Sequence, residues 1–290
     1  MTHQSFFMKP FAHYSPQTLS EALDLLAQMN GRTHINAGGT DLLLKMKAGL
    51  LQPETIVNIK HLPELKGIQF DETDGLTLGA LTTLRELTRT AVIREHYPVL
   101  ADAAGLMASE QIRSFATVGG NLANGSPSAD LAPPLIALGG TAVIISPSGE
   151  RRLPLEKFFL GPGQTVLDSG ELLQEIHLPP PTGKTIYRKH SPRAYMDIAV
   201  VGVAVNLHQN GGLCRQARIV LGAVAPVPLR VKEAEAVLER HEVDDGHIAQ
   251  AAQIAADTCS PIDDVRGSAW YRRRMVQVLT RRGLTFLVVP

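Results

Sequence analysis

Two glycine-centred segments, Ala37-Gly38-Gly39-Thr40-Asp41 and Thr117-Val118-Gly119-Gly120-Asn121, carry the residue types in this chain best suited to holding a ligand. Paired glycines let a backbone approach a ligand closely and reach conformations closed to residues with a Cβ. The flanking Thr, Asp and Asn side chains hydrogen-bond phosphate and sugar groups. Two such segments, similar in chemistry and far apart in sequence, suggest two loops closing on one extended anionic ligand, and a dinucleotide has that form.

The first segment is neither of the common phosphate motifs. It reads Gly-Gly-Thr-Asp rather than GxGxxG, with no regular βαβ series after it, and it lacks the GK[ST] ending of a P-loop. It precedes a stretch of helical pattern, whose N-terminal amides suit a phosphate. A tight turn with a helix cap at Thr40 or Asp41 is the plainer reading. The second segment runs on into Asn124-Gly125-Ser126-Pro127-Ser128-Ala129-Asp130. So many small polar residues between apolar stretches suit the lining of a groove and amide contacts to an anion. A long flexible loop is the alternative.

Other chemistry is sparse. There is no HExxH, GxSxG or Cys-His signature, and the ten histidines are scattered. A ligand cradle without an acid, base or nucleophile set suits a cofactor that brings its own reactivity. Cys214 and Cys259 are far apart and supply neither an iron–sulfur cluster nor a zinc site within this chain. Free core thiols in a reducing compartment fit them better than a disulfide. The N-terminal stretch lacks the charge-then-apolar pattern of a signal peptide, and no apolar run reaches membrane-spanning length. The cytoplasm is the expected location. Formal net charge is zero, which disfavours nucleic acid as a ligand. The basic cluster Arg272-Arg273-Arg274 with Arg281-Arg282 reads as a solvated helix face or a subunit contact.

Elements that position these segments follow from periodicity. Strands are expected at 11–14, 34–37, 54–59, 67–70 and 75–79, with helices from Ser15-Pro16 to a stop at Asn30-Gly31 and over 42–48. Helices are expected over 81–90, capped at Thr82-Thr83, over 98–112, and opening at Asp130-Leu131-Ala132-Pro133-Pro134. Strands follow at 141–145 and 172–178, with a turn at 149–152. Pro179-Pro180-Pro181-Thr182-Gly183 is the clearest linker and the expected domain boundary. Beyond it, three strands (185–190, 198–209, 214–224) precede helices over 229–240, 244–256 and 268–282, with a hairpin turn at Asn210-Gly211-Gly212. At 290 residues, two or three packed units are expected.

The AGGTDLL and TVGGN…SPSADLAPP segments resemble those of the FAD-binding medium subunit of molybdenum hydroxylases, the family of bacterial xanthine dehydrogenase and carbon monoxide dehydrogenase. The resemblance extends over essentially the whole chain. It includes Tyr187-Arg188-Lys189-His190-Ser191-Pro192-Arg193 with Asp197-Ile198-Ala199, and Pro261-Ile262-Asp263-Asp264-Val265-Arg266-Gly267-Ser268 with Tyr271-Arg272.

The resemblance implies an α+β fold: a vanillyl-alcohol-oxidase-type (PCMH-like) FAD-binding domain over 1–180, with subdomains of about 1–60 and 61–180, then a C-terminal α+β domain over 184–290 built of a three-stranded sheet and helices. It implies that Ile35, Asn36, Ala37, Gly38, Gly39, Thr40, Asp41 and Leu42 hold the FAD pyrophosphate from one side. Thr117, Val118, Gly119, Gly120 and Asn121 would hold it from the other, with Asp130 reaching the cofactor. Met107, Leu173 and Lys189 match flavin-contacting positions, and Ile198 falls where relatives place a residue against the flavin ring. A large molybdopterin-binding partner, a small [2Fe–2S] partner, a dimer of such heterotrimers, and NAD or another acceptor are implied as well. The inserted cluster of the 4-hydroxybenzoyl-CoA reductase branch lacks its cysteines here. The implied function is an electron-transfer subunit. The alternatives are a self-contained flavin oxidase or reductase of the same fold and a scaffold subunit without flavin.

Overall fold

The computed structural model describes residues 8–29, 33–194 and 196–288. The helix stop expected at Asn30-Gly31, and most of the N-terminal stretch, lie outside them. Ala12–Tyr14 pairs in parallel with Thr55–Asn58, which pairs in parallel with Thr33–Asn36. Parallel neighbours need crossovers, and helices Leu19–Gln28 and Leu42–Lys47 supply them. The first helix starts at Thr18 rather than Ser15-Pro16, because the Thr18 hydroxyl accepts from the Glu21 amide. Its apolar side, Ala22, Leu23 and Leu26, packs with Val57, Ile59 and Leu62. The first glycine segment therefore lies within a short βαβαβ unit, a regularity the sequence reading missed. The unit ends after its third strand.

A five-stranded antiparallel sheet follows, in the order Ile68–Asp71, Gly75–Gly79, Leu172–Leu178, Thr141–Ser146, Gly149–Pro154. The last strand is a correction, since residues 149–152 read as a turn. Gly149–Pro154 is an exposed edge strand, where charged side chains stay in water and guard the free edge. Arg151 pairs with Glu171 at 2.6 Å and Arg152 with Glu150 at 2.6 Å. Helices Leu84–Arg89, Ala91–His96, Pro98–Gly105 and Ala132–Ala137 pack with this sheet around Leu76, Leu78, Leu100, Leu135 and Ile176. Thr83 and Glu86 form a reciprocal capping box at the first of them.

The helix expected over 98–112 is broken. It stops at Gly105, Ala108 takes a left-handed φ of 46°, and a new turn, Glu110–Arg113, begins at the Ser109 cap. Arg113 Nη1 donates to the carbonyls of Met107 (2.8 Å) and Ala108 (3.0 Å), which satisfies groups the helix has abandoned.

Residues 179–183 lead into a second antiparallel sheet, ordered Lys184–His190, Val201–Asn210, Leu213–Gly222, Leu229–Arg230. The fourth, two-residue strand corrects the expectation of three strands and of a helix starting at Leu229. That helix begins only at Lys232. Gly211 and Gly212 both have positive φ (60° and 84°), as a tight hairpin turn requires. Helices Asp245–Thr258 and Ala269–Val288 cover one face, burying Val205, Ile219, Ala251, Val276 and Leu284.

Candidate cofactor site

The first glycine segment leaves the strand Thr33–Asn36 and enters the helix Leu42–Lys47. Gly39 takes a φ of 74°, which favours glycine. Gly38 is required for a different reason: a Cβ there would overlap the backbone carbonyl of Phe115. The tight turn is present, but Asp41 occupies the cap position of the helix without making a side-chain cap bond.

The second segment begins as a helix rather than a loop, and only its continuation over 124–130 runs as turns. Thr117 caps a short helix, Val118–Ala123, by accepting from the Gly120 amide at 3.0 Å. The Gly119 amide donates to Ala80 O (2.8 Å), and the Val118 amide to Thr82 O (2.9 Å). A Cβ at Gly119 would come within 2.6 Å of the Ala80 methyl. Gly120 differs from its neighbours. Outside its own helix backbone, a Cβ there would meet only Thr117 Oγ1, at 2.8 Å. Lys45 of the first segment's helix donates to Asn124 Oδ1 at 2.6 Å and ties the two segments together.

Between the segments lies a cavity of about 810 Å³. It brings together all the residues expected to meet the cofactor except Asn36, Val118 and Lys189. Val118 points into the core. Met107 reaches the cavity because the helix breaks beside it, and Leu173 and Ile198 also line it. Ser128, from the polar run after the second segment, lines it as expected, whereas the reading from residues alone overlooked Lys45, Ala80 and Glu171, which line the same space. Lys45 sits one helical turn beyond Asp41, a spacing that was available as a signal. His34 lines the cavity too, and burial, then the Lys45 charge, hold its pKa below the ordinary value.

Lys189 lies behind the wall. Its ammonium donates to Asp130 Oδ2 (2.9 Å), Asp197 O (2.8 Å) and Leu106 O (3.4 Å). Asp130 Oδ1 accepts from the Tyr187 hydroxyl at 2.7 Å. Burial pushes the Asp130 carboxyl above its ordinary range, while Lys189 and Tyr187 oppose that shift. One ammonium thus joins the chain beside Met107, the end of the second segment and the loop bearing Ile198.

The cavity suits FAD on two observations. Asn121 lines it, and the Asn121 Oδ1 is buried without a hydrogen-bond partner in the chain, as is Asn36 Oδ1. Buried oxygens of this kind want a donor. Gly120 presents a cavity-lining backbone that a side chain would cover. Among the described residues no His, Cys, Asp and Glu cluster could hold a metal, and no helix is long and apolar enough to cross a membrane.

Comparison with known proteins agrees with this cavity. Residues 9–181 match the family described as the FAD binding domain in molybdopterin dehydrogenase, and residues 186–286 the CO dehydrogenase flavoprotein C-terminal domain. The chain is 34% identical over 276 residues to the carbon monoxide dehydrogenase medium chain of Hydrogenophaga pseudoflava, covering 94% of this chain and 96% of that one. It is 32% identical over 279 residues to the xanthine dehydrogenase FAD-binding subunit of Escherichia coli O157:H7, covering 95% of each. The solved carbon monoxide dehydrogenase of Hydrogenophaga pseudoflava superposes with a TM-score of 0.93 at 34% identity, over 97% of this chain and 98% of that one. Quinoline 2-oxidoreductase of Pseudomonas putida 86 does so at 0.91 and 28% identity, over 97% and 98%. Matched over nearly its whole length, the chain belongs to the FAD-binding medium-subunit family of the molybdenum-containing dehydrogenases.

Proposed function

We propose that this chain is the electron-transfer subunit of a cytoplasmic molybdenum hydroxylase. In this reading a large partner oxidises substrate at its molybdopterin cofactor, and a small partner relays the electrons through [2Fe–2S] clusters. This chain passes them on to NAD or another acceptor. Two such heterotrimers would form the working dimer. FAD supplies the chemistry needed at that point, reversible uptake of one or two electrons.

The chain's own residues bind and orient. Gly38–Asp41 and Thr117–Asn121 would hold the pyrophosphate from two sides, with Lys45 as the nearby cation. Asp130 would contact the cofactor while Lys189 and Tyr187 fix its carboxylate. Met107, Leu173 and Ile198 would flank the flavin ring, and the half-exposed Ile198 leaves an approach for an acceptor. Residues 1–180 would form the FAD-binding domain, in subdomains of about 1–60 and 61–180, and residues 184–290 the C-terminal domain.

The observation that carries the reading is the shared cavity between the two glycine segments, whose lining, among the described residues, shows no nucleophile hydrogen-bonded to a base. The test is to purify the full chain with FAD, reduce the flavin under anaerobic conditions, and follow its reoxidation by NAD⁺ and by dyes. Bound flavin that exchanges electrons, with no turnover of organic substrates until the partner chains are added, is expected. Substrate turnover by the chain alone would refute the electron-transfer reading.

A further inference from the structure

Arg272 is a buried cation on the last helix, Ala269–Val288, with a side chain 4% exposed. Its charge is met by Asp264, 2.7 Å from Nη2. Its other terminal nitrogen, Nη1, donates to Ala223 O at 3.0 Å and Val200 O at 3.4 Å. These carbonyls flank the ends of two paired strands, Val201–Asn210 and Leu213–Gly222. Val200 lies two residues after Ile198, which lines the cavity.

Ala223 links this arginine to the second glycine segment. It has a φ of 64°, a conformation in which its Cβ is strained and glycine is not. Its amide donates to Pro127 O at 2.8 Å. Pro127 belongs to the turn in which the Ala129 amide bonds Ser126 O (3.0 Å) and which leads to Ser128 and Asp130 at the cavity wall. The preceding residue packs beside this contact: a Cβ on Gly222 would stand 2.9 Å from Pro133 Cγ and 4.0 Å from Pro127 O. A continuous path therefore runs from Asp264 through Arg272 and Ala223 to Pro127. Its one strained residue is held at the carbonyl by the arginine and at the amide by the proline.

We propose that Arg272 is a positioning residue for FAD: by holding Ala223 in its left-handed conformation it sets the Ser126–Asp130 turn against the cofactor. The inference rests on the reading that the second glycine segment contacts FAD. It gives the Asp264-to-Arg272 stretch a task at a site that none of its residues lines. An arginine that merely completed the C-terminal core would affect melting temperature and leave the affinity of the folded protein for FAD unchanged.

The test measures FAD affinity of the full chain by flavin fluorescence, at a temperature where circular dichroism shows each variant folded. Arg272→Gln is expected to weaken binding about tenfold, and adding Ala223→Gly to restore it to within about threefold, since glycine adopts that φ without a brace. Arg272→Lys keeps a charge against Asp264 but loses the planar fork, and is expected to weaken binding in the same direction. Wild-type affinity in folded Arg272→Gln or Arg272→Lys, or no restoration by Ala223→Gly, would overturn the proposal. Failure of both Arg272 variants to fold, with and without Ala223→Gly, would overturn it too, because the arginine would then serve folding as such. Gly120→Val is measured alongside. If it binds FAD like the wild type, the reading beneath the proposal fails, not the bracing path.

Discussion

Gly38 lies directly against the backbone of Phe115, so the first glycine segment touches the chain just ahead of the second. Paired glycines suggested close approach to a ligand. In the fold, Gly38 serves approach to Phe115, Gly119 approach to Ala80, and Gly39 its positive φ. Gly120 keeps the original rationale. Gly38→Ala should therefore destabilise the protein by about 1–3 kcal/mol, the usual range for overpacking, with or without FAD. Urea unfolding followed by far-UV circular dichroism checks this, and an unchanged midpoint would refute it.

Asn121 offers a sign reversal. Its buried Oδ1 has no partner in the chain, so Asn121→Leu should leave the FAD-free protein as stable as before, or about 1 kcal/mol more stable. FAD affinity should fall about tenfold, the worth of one hydrogen bond of about 1.4 kcal/mol. Melting curves with and without FAD separate the two effects. Lower stability in the FAD-free variant would count against the orphan oxygen.

The buried pair Asp130–Lys189 should behave as a unit. Lys189→Met strands a buried carboxylate, at a cost of about 3–5 kcal/mol. Asp130→Asn in addition should recover part of that loss, so the two changes should not add. Because burial raises the Asp130 pKa, its contribution to stability is present at low pH and lost as pH rises through the folded value. The Lys189→Met penalty should be smaller at pH 4 than at pH 7. Additive losses at constant pH would contradict the coupling.

Cys214 gives an alkaline signature. Burial, and then the Glu239 charge, push its thiol up from 9.0 to about 11. A raised folded pKa means stability that is full below pH 9 and lost as pH climbs towards 11. Denaturant midpoints at pH 8 and pH 10.5 should differ less in Cys214→Ala than in the wild type. An equal fall in both would place the loss elsewhere.

Much of this was legible in the sequence because local signals agreed with the fold. The Thr83 cap, the Asn210-Gly211-Gly212 hairpin and the strands around the first glycine segment all sit where propensity and pattern put them. Misreadings came where a distant or exposed interaction decided. Apolar spacing continues past Gly105, but Arg113 captures the carbonyls of Met107 and Ala108 and lets the helix break. That break carries Met107 to the cavity. Arg151 and Arg152 looked like a turn because edge strands carry the polarity of turns. Leu229–Arg230 is too short to show periodicity, and pairing with Val220 and Leu221 makes it a strand. Lys189 came from the family resemblance, and its three-way bonding behind the wall has no sequence signal.

The central claim is that the two glycine segments hold FAD in the cavity between them. Its most direct test is the FAD content of wild type and Gly120→Val, purified side by side in excess FAD and compared by visible absorbance and far-UV circular dichroism. Outside its own helix backbone, a Cβ at this position would meet only the Thr117 hydroxyl, a small side-chain group that must shift, so the variant should fold, and far-UV circular dichroism checks that it does. The account predicts stoichiometric flavin in the wild type and at least about tenfold less in the variant. Equal flavin in two folded proteins would contradict it.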